Sequence, residues 1–461
     1  MNTCRYTVHQ SLAEARDLPI VFRQALKNAL LRLPFLQVGI RDEDTKSPKF
    51  TQVSTLRLSN HYQWQTLLAE AKGDYESSLV RILEAQHDLP FPNTREQPSW
   101  RAICVERPRE SESSAKLSTR DVYVIFAVHH SLMDGTSASV FHETMLEALN
   151  SLTHSEEIPD VVALESKPDI PPCVEDVVPF RISWSYFLGI LWKEFAPSWL
   201  RGRQPPPPWT GSPATMSPRD LYIRMIQIPS SQLGQVLAMC RKRGTTLTPL
   251  IHAMVVASAA RAIPREQREG RGFSASTPIN LRPFMIMPGM GKSAVSKLMG
   301  TYVTSQDHNF DGDTVAAFDA SAGNLEKTEE EIWSVAKAVK AELQRRLDIE
   351  PNDDITAMLS YVSDFHAWWL KKVGGVRNST WEISNVGSLS GLGGGGDWKI
   401  TQSIFTQSAN FTGPAFSVNV SGIRETGITI TLCWQKDVVK TEIIEQIGEG
   451  LRTWFEIIGK S

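Results

Sequence analysis

The sequence predicts an α/β protein made of two mixed-sheet halves of similar size. Strand-like and helix-like stretches mingle along all 461 residues without strict alternation, which reads as layers of mixed sheet and helix. The run "RGRQPPPPWTGSPATMSP", Arg201 to Pro218, breaks the chain near its middle. Its four consecutive prolines stiffen a crossing segment and exclude regular structure. The length itself suggests more than one core. These observations divide the chain into an N-terminal subdomain over 1–200, a Pro-rich crossover over 201–218 and a C-terminal subdomain over 219–461.

The elements follow in order. "VFRQALKNALLRLPFLQVGI" has apolar residues at helical spacing and leaves the helix at Pro34 into an extended run. "DLPFPNTREQPSW" is a loop marked by Pro90, Pro92 and Pro98, and "WRAICV" reads as a strand. "ERPRESESSAKLSTR" is a polar, exposed connection to a second strand, "DVYVIFAV", the expected hairpin partner of the first. In that second strand Val122, Val124, Phe126 and Val128 line one face and Tyr123, Ile125 and Ala127 the other. Both faces are apolar, so the strand is central and covered on both sides. An amphipathic helix follows over Ser137 to Leu149.

Past the crossover, "LYIRMIQI" is a strand, followed by helices over Ser230 to Arg243 and "TPLIHAMVVASAARAI". "GFSASTPINL" and "MGTYVTS" read as strands, and two helices are expected over Phe318 to Leu347 and Asp354 to Val373. The end is strand-rich ("TWEISNV", "WKITQSIF", "FSVNVSGI", "TGITITLCW"), with a last helix from Thr441 to Ile458.

Composition narrows the function classes. Lys and Arg number 48 against 51 Asp and Glu, a formal charge of -3, which gives no electrostatic argument for nucleic acid or anionic lipid. The five cysteines are far apart, odd in number and without a C-x-x-C pair, so they read as reduced thiols in a cytoplasmic protein. No apolar core of a secretory signal follows the first methionine. "ISWSYFLGILW", Ile182 to Trp192, stops at Lys193, well short of the ~20 apolar residues of a spanning helix. Its tryptophans, with Trp199, Trp209, Trp368 and Trp369, are expected in core or domain packing; an amphipathic helix in peripheral contact with a membrane, or covering an apolar acceptor, is the alternative.

The chemistry concentrates in "AVHHSLMDGTSASVFHETM", Ala127 to Met145. A buried strand ends there on His129 and His130, and the chain turns through Asp134 and Gly135. Two satisfied polar residues at a strand end are one reading, although buried imidazoles demand partners. A metal site is a second, but no third ligand and no H-E-x-x-H accompany the His-x-x-x-Asp spacing, so no metal is assigned. The third is a general base: a neutral imidazole at a strand end can take a proton from a hydroxyl or amine near pH 7. Asp134 would then turn inward to hold the backbone, and Gly135 would permit the tight exit into the helix.

"HHSLMDG" resembles the His-His-x-x-x-Asp-Gly signature of the chloramphenicol acetyltransferase-like superfamily of CoA-dependent acyltransferases. That superfamily includes peptide-synthetase condensation domains, plant BAHD acyltransferases and fungal alcohol acetyltransferases. "PSWRAICV" ahead of the motif strand and "TPINLRPF", Thr277 to Phe284, follow the superfamily's order. "ISNVGSL", Ile383 to Leu389, is similar to the serine-asparagine strand of the fungal alcohol acetyltransferases. The resemblance runs from the "ALLRLPFL" helix to the end of the chain. The plant DFGWG motif is absent, as is the arginine- and glutamate-bearing N-terminal helix usual in fungal relatives; no carrier or adenylation segment is present.

The resemblance implies two chloramphenicol acetyltransferase-like subdomains with an active-site tunnel between them. It implies that His130 is the base, deprotonating an acceptor hydroxyl that attacks an acyl thioester directly, without an acyl-enzyme. It implies that Asp134 is structural and paired with an arginine of the second half, the position that Arg282 matches. Ser384 or Asn385 would donate to the oxyanion. His129 is expected to pack on the opposite face, His142 to be a surface or packing residue, and His252 to be core. "GLGGGGD", Gly391 to Asp397, lacks the Lys-Ser/Thr of a phosphate loop and reads as a flexible connection.

The expected function is transfer of an acyl group, acetyl first, from CoA to the hydroxyl of a small apolar alcohol or secondary metabolite. Acetyl-CoA or another acyl-CoA is then a co-substrate, with no bound cofactor, no nucleic-acid partner and a monomeric chain. Two alternatives stay open: a condensation-like enzyme taking its acyl group from a carrier protein, and a non-catalytic relative that only binds a ligand.

Overall fold

The computed structural model describes the chain except residues 68–73, 108–118, 155, 165–166, 198–199, 201–205 and 461. Most of the polar connection before the motif strand, Trp199 and the start of the Pro-rich crossover therefore lie outside the described residues.

The N-terminal part opens with β1 (Asn2–His9) and a helix, Leu18–Arg32. Asp17 caps that helix by accepting from the Ile20 amide, Pro19 occupies its first turn, and Val21, Phe22, Ala25, Leu26, Ala29 and Leu30 form its buried stripe. Pro34 then starts a short 3-10 turn, as a residue lacking an amide hydrogen does at an element's first position. A ribbon of β2 (Val38–Arg41) and β3 (Lys49–Gln52) comes next. It is followed by β4 (Thr55–Arg57), β5 (Tyr62–Thr66), β6 (Trp100–Glu106), β7 (Thr119–Val128) and β8 (Val161–Ala163), the last returning to pair with β4. β6 and β7 are antiparallel partners, as expected of the hairpin. Val122, Val124 and Phe126 enter one core while Tyr123 and Ile125 enter another, so both apolar faces of β7 are used.

The C-terminal part contributes β9 (Leu221–Pro229), β10 (Phe273–Asn280), β11 (Val303–Phe310), β12 (Trp381–Leu389), β13 (Lys399–Phe405), β14 (Phe416–Ile423) and β15 (Gly427–Gln435). Six of them make a mixed sheet ordered β11-β10-β12-β14-β15-β9. One face of it buries the helix Leu247–Ala262, which is apolar all round and packed in the core with the final helix, Thr441–Lys460.

β13 departs from chain order. It pairs with β1 and makes the other sheet β13-β1-β7-β6-β5. The Gly391–Asp397 run carries the chain across: Asn150, on the helix Gly135–Ser151, exchanges hydrogen bonds with the Trp398 backbone at 2.9 and 3.1 Å. A third apolar cluster joins the halves, with Ile103, Val105 and Ile125 of one sheet packed with Leu221, Ile223 and Met225 of the other.

Two predicted helices are divided. The stretch from Phe318 is two helices, Gly312–Ala320 and Leu325–Ile349, because Asn324 caps a fresh start on the Lys327 amide. The stretch from Asp354 breaks into Ile355–Met358 and Phe365–Leu370, where Asp364 accepts from the Ala367 amide and restarts the helix. Trp209 is buried as expected, but Trp184, Leu188 and Trp192 lie exposed along the helix Trp184–Phe195, so core packing fails there. Among the described residues no helix is long and apolar enough to cross a membrane.

Candidate active site

β7 ends at Val128, so both histidines stand in the turn that follows. Their hydrogen bonds separate them. His130 Nδ1 lies 3.0 Å from the Met133 carbonyl. A carbonyl only accepts, so Nδ1 carries the proton, and in the neutral ring Nε2 keeps its lone pair. His129 is wired the other way. Its Nδ1 accepts from the Ser131 amide at 3.3 Å, which leaves the proton on Nε2, 3.7 Å from Glu43. Burial lowers the pKa of His129 from its ordinary value, with Glu43 opposing. His130 is the exposed one of the two, and its carbonyl accepts from Thr301 Oγ1 of the second half at 3.2 Å. It stands at the seam between the halves.

Asp134 caps the helix Gly135–Ser151, its Oδ1 accepting from the Ser137 amide at 2.9 Å. The same carboxylate meets Arg282 along both edges, at 2.8 and 3.0 Å, and accepts from the Tyr302 amide at 3.0 Å. Arg282 side-chain exposure is 1 % and that of Asp134 is 7 %. The remaining guanidinium hydrogens go to Leu298 O, Asn280 Oδ1 and Ser137 Oγ, so the buried charges are fully engaged. Sequence reasoning missed Ser137, which bridges Asp134, Arg282 and the Gly300 backbone. Its signal was there: a hydroxyl three residues after a capping aspartate.

Gly135 is required for a different reason than the expected one. Its backbone is not in the left-handed region, so the turn itself does not demand glycine. A Cβ there would come within 2.4 Å of Val386 Cγ1 and 3.3 Å of the Phe405 ring. Glycine lets β12 and β13 approach the start of the motif helix.

On β12 the side chains alternate. Trp381 and Ile383 enter the core beside the Leu247–Ala262 helix. Glu382, Ser384 and Val386 point to the opposite face, toward the first half, as the approach of Val386 to Gly135 shows. Ser384 is buried at 8 % exposure, and among the described residues its hydroxyl has no hydrogen-bond partner. Asn385 is turned away and already used: it donates to Thr248 Oγ1 at 3.0 Å and accepts from the Gly387 amide at 2.9 Å, holding the irregularity that follows in β12. Glu382 was not anticipated. Burial pushes its carboxyl up to about 7, and it accepts from Gln407 Nε2 at 3.0 Å.

His142, His252 and His308 are structural. His142 is buried between Tyr6 Oη at 3.0 Å and the Asn2 carbonyl at 3.2 Å, and burial lowers its pKa to about 4. His252 is core, linked through Thr277 to His308 and on to Glu342 at 2.8, 3.0 and 2.6 Å. Among the described residues no three metal-binding side chains cluster.

An imidazole whose Nδ1 is held by a backbone carbonyl, in a turn anchored by the Asp134–Arg282 pair, suits proton abstraction. The comparisons show the family. A model of the alcohol acetyltransferase family matches residues 63–448. A probable alcohol acetyltransferase of Fusarium pseudograminearum is 25 % identical over 95 % of this chain and 86 % of its own length. One from Aspergillus fumigatus is 22 % identical over 99 % and 95 %. The solved trichothecene 15-O-acetyltransferase of Fusarium sporotrichioides superposes with a TM-score of 0.71 at 12 % identity, over 99 % of this chain and 90 % of that one, and so shares the fold. The chain belongs to the alcohol acetyltransferase family and is an O-acetyltransferase enzyme, with an alcohol as acceptor and an acyl-CoA as co-substrate.

Proposed function

We propose that His130 is the general base of a direct acetyl transfer from acetyl-CoA to a small apolar alcohol or secondary metabolite. The observation that carries this reading is the His130 Nδ1 contact with the Met133 carbonyl, which fixes the tautomer and leaves Nε2 at the seam. Nε2 takes the proton of the acceptor hydroxyl as its oxygen attacks the thioester carbonyl. The tetrahedral oxyanion is stabilised by the Ser384 hydroxyl. Collapse breaks the carbon–sulfur bond, and the departing thiolate takes the proton from the imidazolium. Asp134 and Arg282 act by holding the turn, and Asn385 by shaping β12. Donor and acceptor reach the seam from opposite sides, through a passage between the two halves.

The test is transfer by purified protein given acetyl-CoA, no carrier protein and a panel of apolar alcohols, with CoA release followed by a thiol reagent and esters identified by mass. Ester formation supports the reading. Ester formed only when the acyl group is supplied on a carrier protein, with the carrier thiol and not CoA released, would replace it with the condensation-like alternative.

A further inference from the structure

A cavity of about 260 Å³, lined by neither His129 nor His130, lies against the short helix Phe365–Leu370. Its walls are Trp369, Leu370, Val373, Met216 and Phe411, with Asn410 at one end. His366 and Thr412 supply the few other polar groups of the lining. Three distant segments build it, and they are stitched together. The crossover bonds to the turn after the helix, Ala214 N to Gly375 O at 2.9 Å and Gly374 N to Ala214 O at 2.7 Å. The buried Arg377 donates to Ser212 O at 3.1 Å and to Asn410 O at 2.9 Å, tying the crossover to the loop between β13 and β14. The pocket is preformed, as ligand sites usually are.

Two segments run from it toward the seam. Along the loop, Asn410 is five residues from Phe405, which closes on Gly135. Five residues reach at most ~18 Å. Asn410 also lines a small polar cleft with Gln407, Ser417 and Cys433, and Gln407 bonds Glu382 on the face that carries Ser384. Along the helix, its cap Asp364 pairs with Lys46 at 3.4 Å, and Glu43, three residues before Lys46, faces His129 at 3.7 Å. Segments in or next to the pocket wall thus continue toward the motif turn.

The lining selects between the two substrates. The nucleotide of an acyl-CoA needs cations and hydrogen-bond donors for its phosphates; neither lysine nor arginine lines this cavity, and the nearby Lys372 and Arg219 lie over the Trp369 and Phe411 rings at 4.6 and 5.8 Å. An acetyl group needs far less room. The volume sits just under the ~300 Å³ at which small-molecule pockets begin, and its walls are apolar. We infer that this pocket seats the end of the acceptor remote from its reacting hydroxyl, so that the acceptor is an elongated alcohol with an apolar body. The inference rests on the transfer reading only in naming the occupant an acceptor.

The experiment uses a linear series, 1-butanol to 1-decanol, with the full chain. Binding of 1-decanol is measured by calorimetry without any acyl donor, and kcat/KM is measured with acetyl-CoA. The wild type should gain about fourfold per methylene, the equivalent of roughly 0.8 kcal/mol. Leu370→Asp should weaken 1-decanol binding at least tenfold and lower the ratio of 1-decanol to 1-butanol kcat/KM by a similar factor. Leu347→Asp, on an exposed helix face elsewhere, should leave that ratio unchanged. If Leu370→Asp melts early, Val373→Trp, which fills the cavity without adding charge, takes its place. Wild-type binding or chain-length dependence in the pocket variant, or no saturable 1-decanol binding by the wild type, overturns the inference. Binding that Leu370→Asp abolishes, in a protein that releases no CoA, supports the pocket and removes the transfer reading instead.

Discussion

Arg282 reaches Asp134 from 148 residues away and grips both of its carboxylate oxygens, at 2.8 and 3.0 Å, in a site closed to water. One ion pair thereby fixes three things: the first turn of the motif helix, the backbone at Gly300 and Tyr302, and the seam between the halves. Removing either partner leaves a buried charge alone, which costs on the order of 3–5 kcal/mol. Asp134→Ala and Arg282→Ala should each lower stability in urea by that amount and reduce transfer. The double variant should lose clearly less than the sum. Additive losses would mean that the contact does not carry the energy.

His130→Ala should keep the fold by circular dichroism and lower kcat by about 100- to 10,000-fold. His129→Ala should act on stability instead, because its ring anchors Ser131 and faces Glu43. Loss of turnover in His129→Ala at an unchanged melting temperature would assign the base to the wrong ring.

The two neighbours on β12 should part company. Ser384→Ala should lower kcat by about 100- to 1,000-fold with little change in melting, the range for an oxyanion donor. Asn385→Ala should cost stability first, since it frees Thr248 and the Gly387 amide. Near-normal kcat in Ser384→Ala would move the oxyanion donor elsewhere.

Gly135→Ala places a methyl group against Val386 and the Phe405 ring. Overpacking of this kind costs about 1–3 kcal/mol. Stability and kcat should fall together, because the displaced strand carries Ser384, and a second change of Val386→Ala should restore both in part. No gain from the second change would show that Val386 is not the obstacle.

Glu382 gives stability a pH dependence. Its carboxyl is pushed from near 4.5 up to about 7 by burial, so the folded chain holds a proton that the unfolded chain has released. Its contribution is fully present below about pH 4.5 and is lost as pH rises through 7, at no more than about 1.4 kcal/mol per pH unit. Glu382→Gln should flatten the fall in urea midpoint between pH 5 and 8. Some slope should remain, since burial and the nearby Asp354 also raise Glu350 to about 7. An unchanged slope in the variant would show that Glu382 meets water in the folded state.

What could be read in the sequence was local. The central strand, the His-rich turn and the capping aspartate all lie within some thirty consecutive residues, where alternation and capping chemistry act directly. Arg282 was legible only through the resemblance of "INLRPF", because nothing in its own neighbourhood says that Asp134 is its partner. The role of Gly135 was misread for the same reason: Val386 and Phe405 are some 250 residues distant. The helix breaks at Asn324 and Asp364 were missed although both residues are good caps, since the apolar spacing runs on through them. Glu382 sits in a strand that otherwise reads as buried, and an acid at an inward position was the available signal.

The placement of β13 bears on how the chain is made. β1 is hydrogen-bonded on one side by β7 and on the other by β13, whose last residue is Phe405. During synthesis, then, the first sheet emerges from the ribosome with the β1 edge open, and that edge stays open until β13, about 390 residues further on, has followed. An uncovered strand edge is a template for pairing with other chains. The nascent protein must wait or be shielded through that interval, and fragments ending at the Pro-rich crossover should aggregate rather than fold. The sheet that the chain begins first is closed by a strand from beyond the crossover.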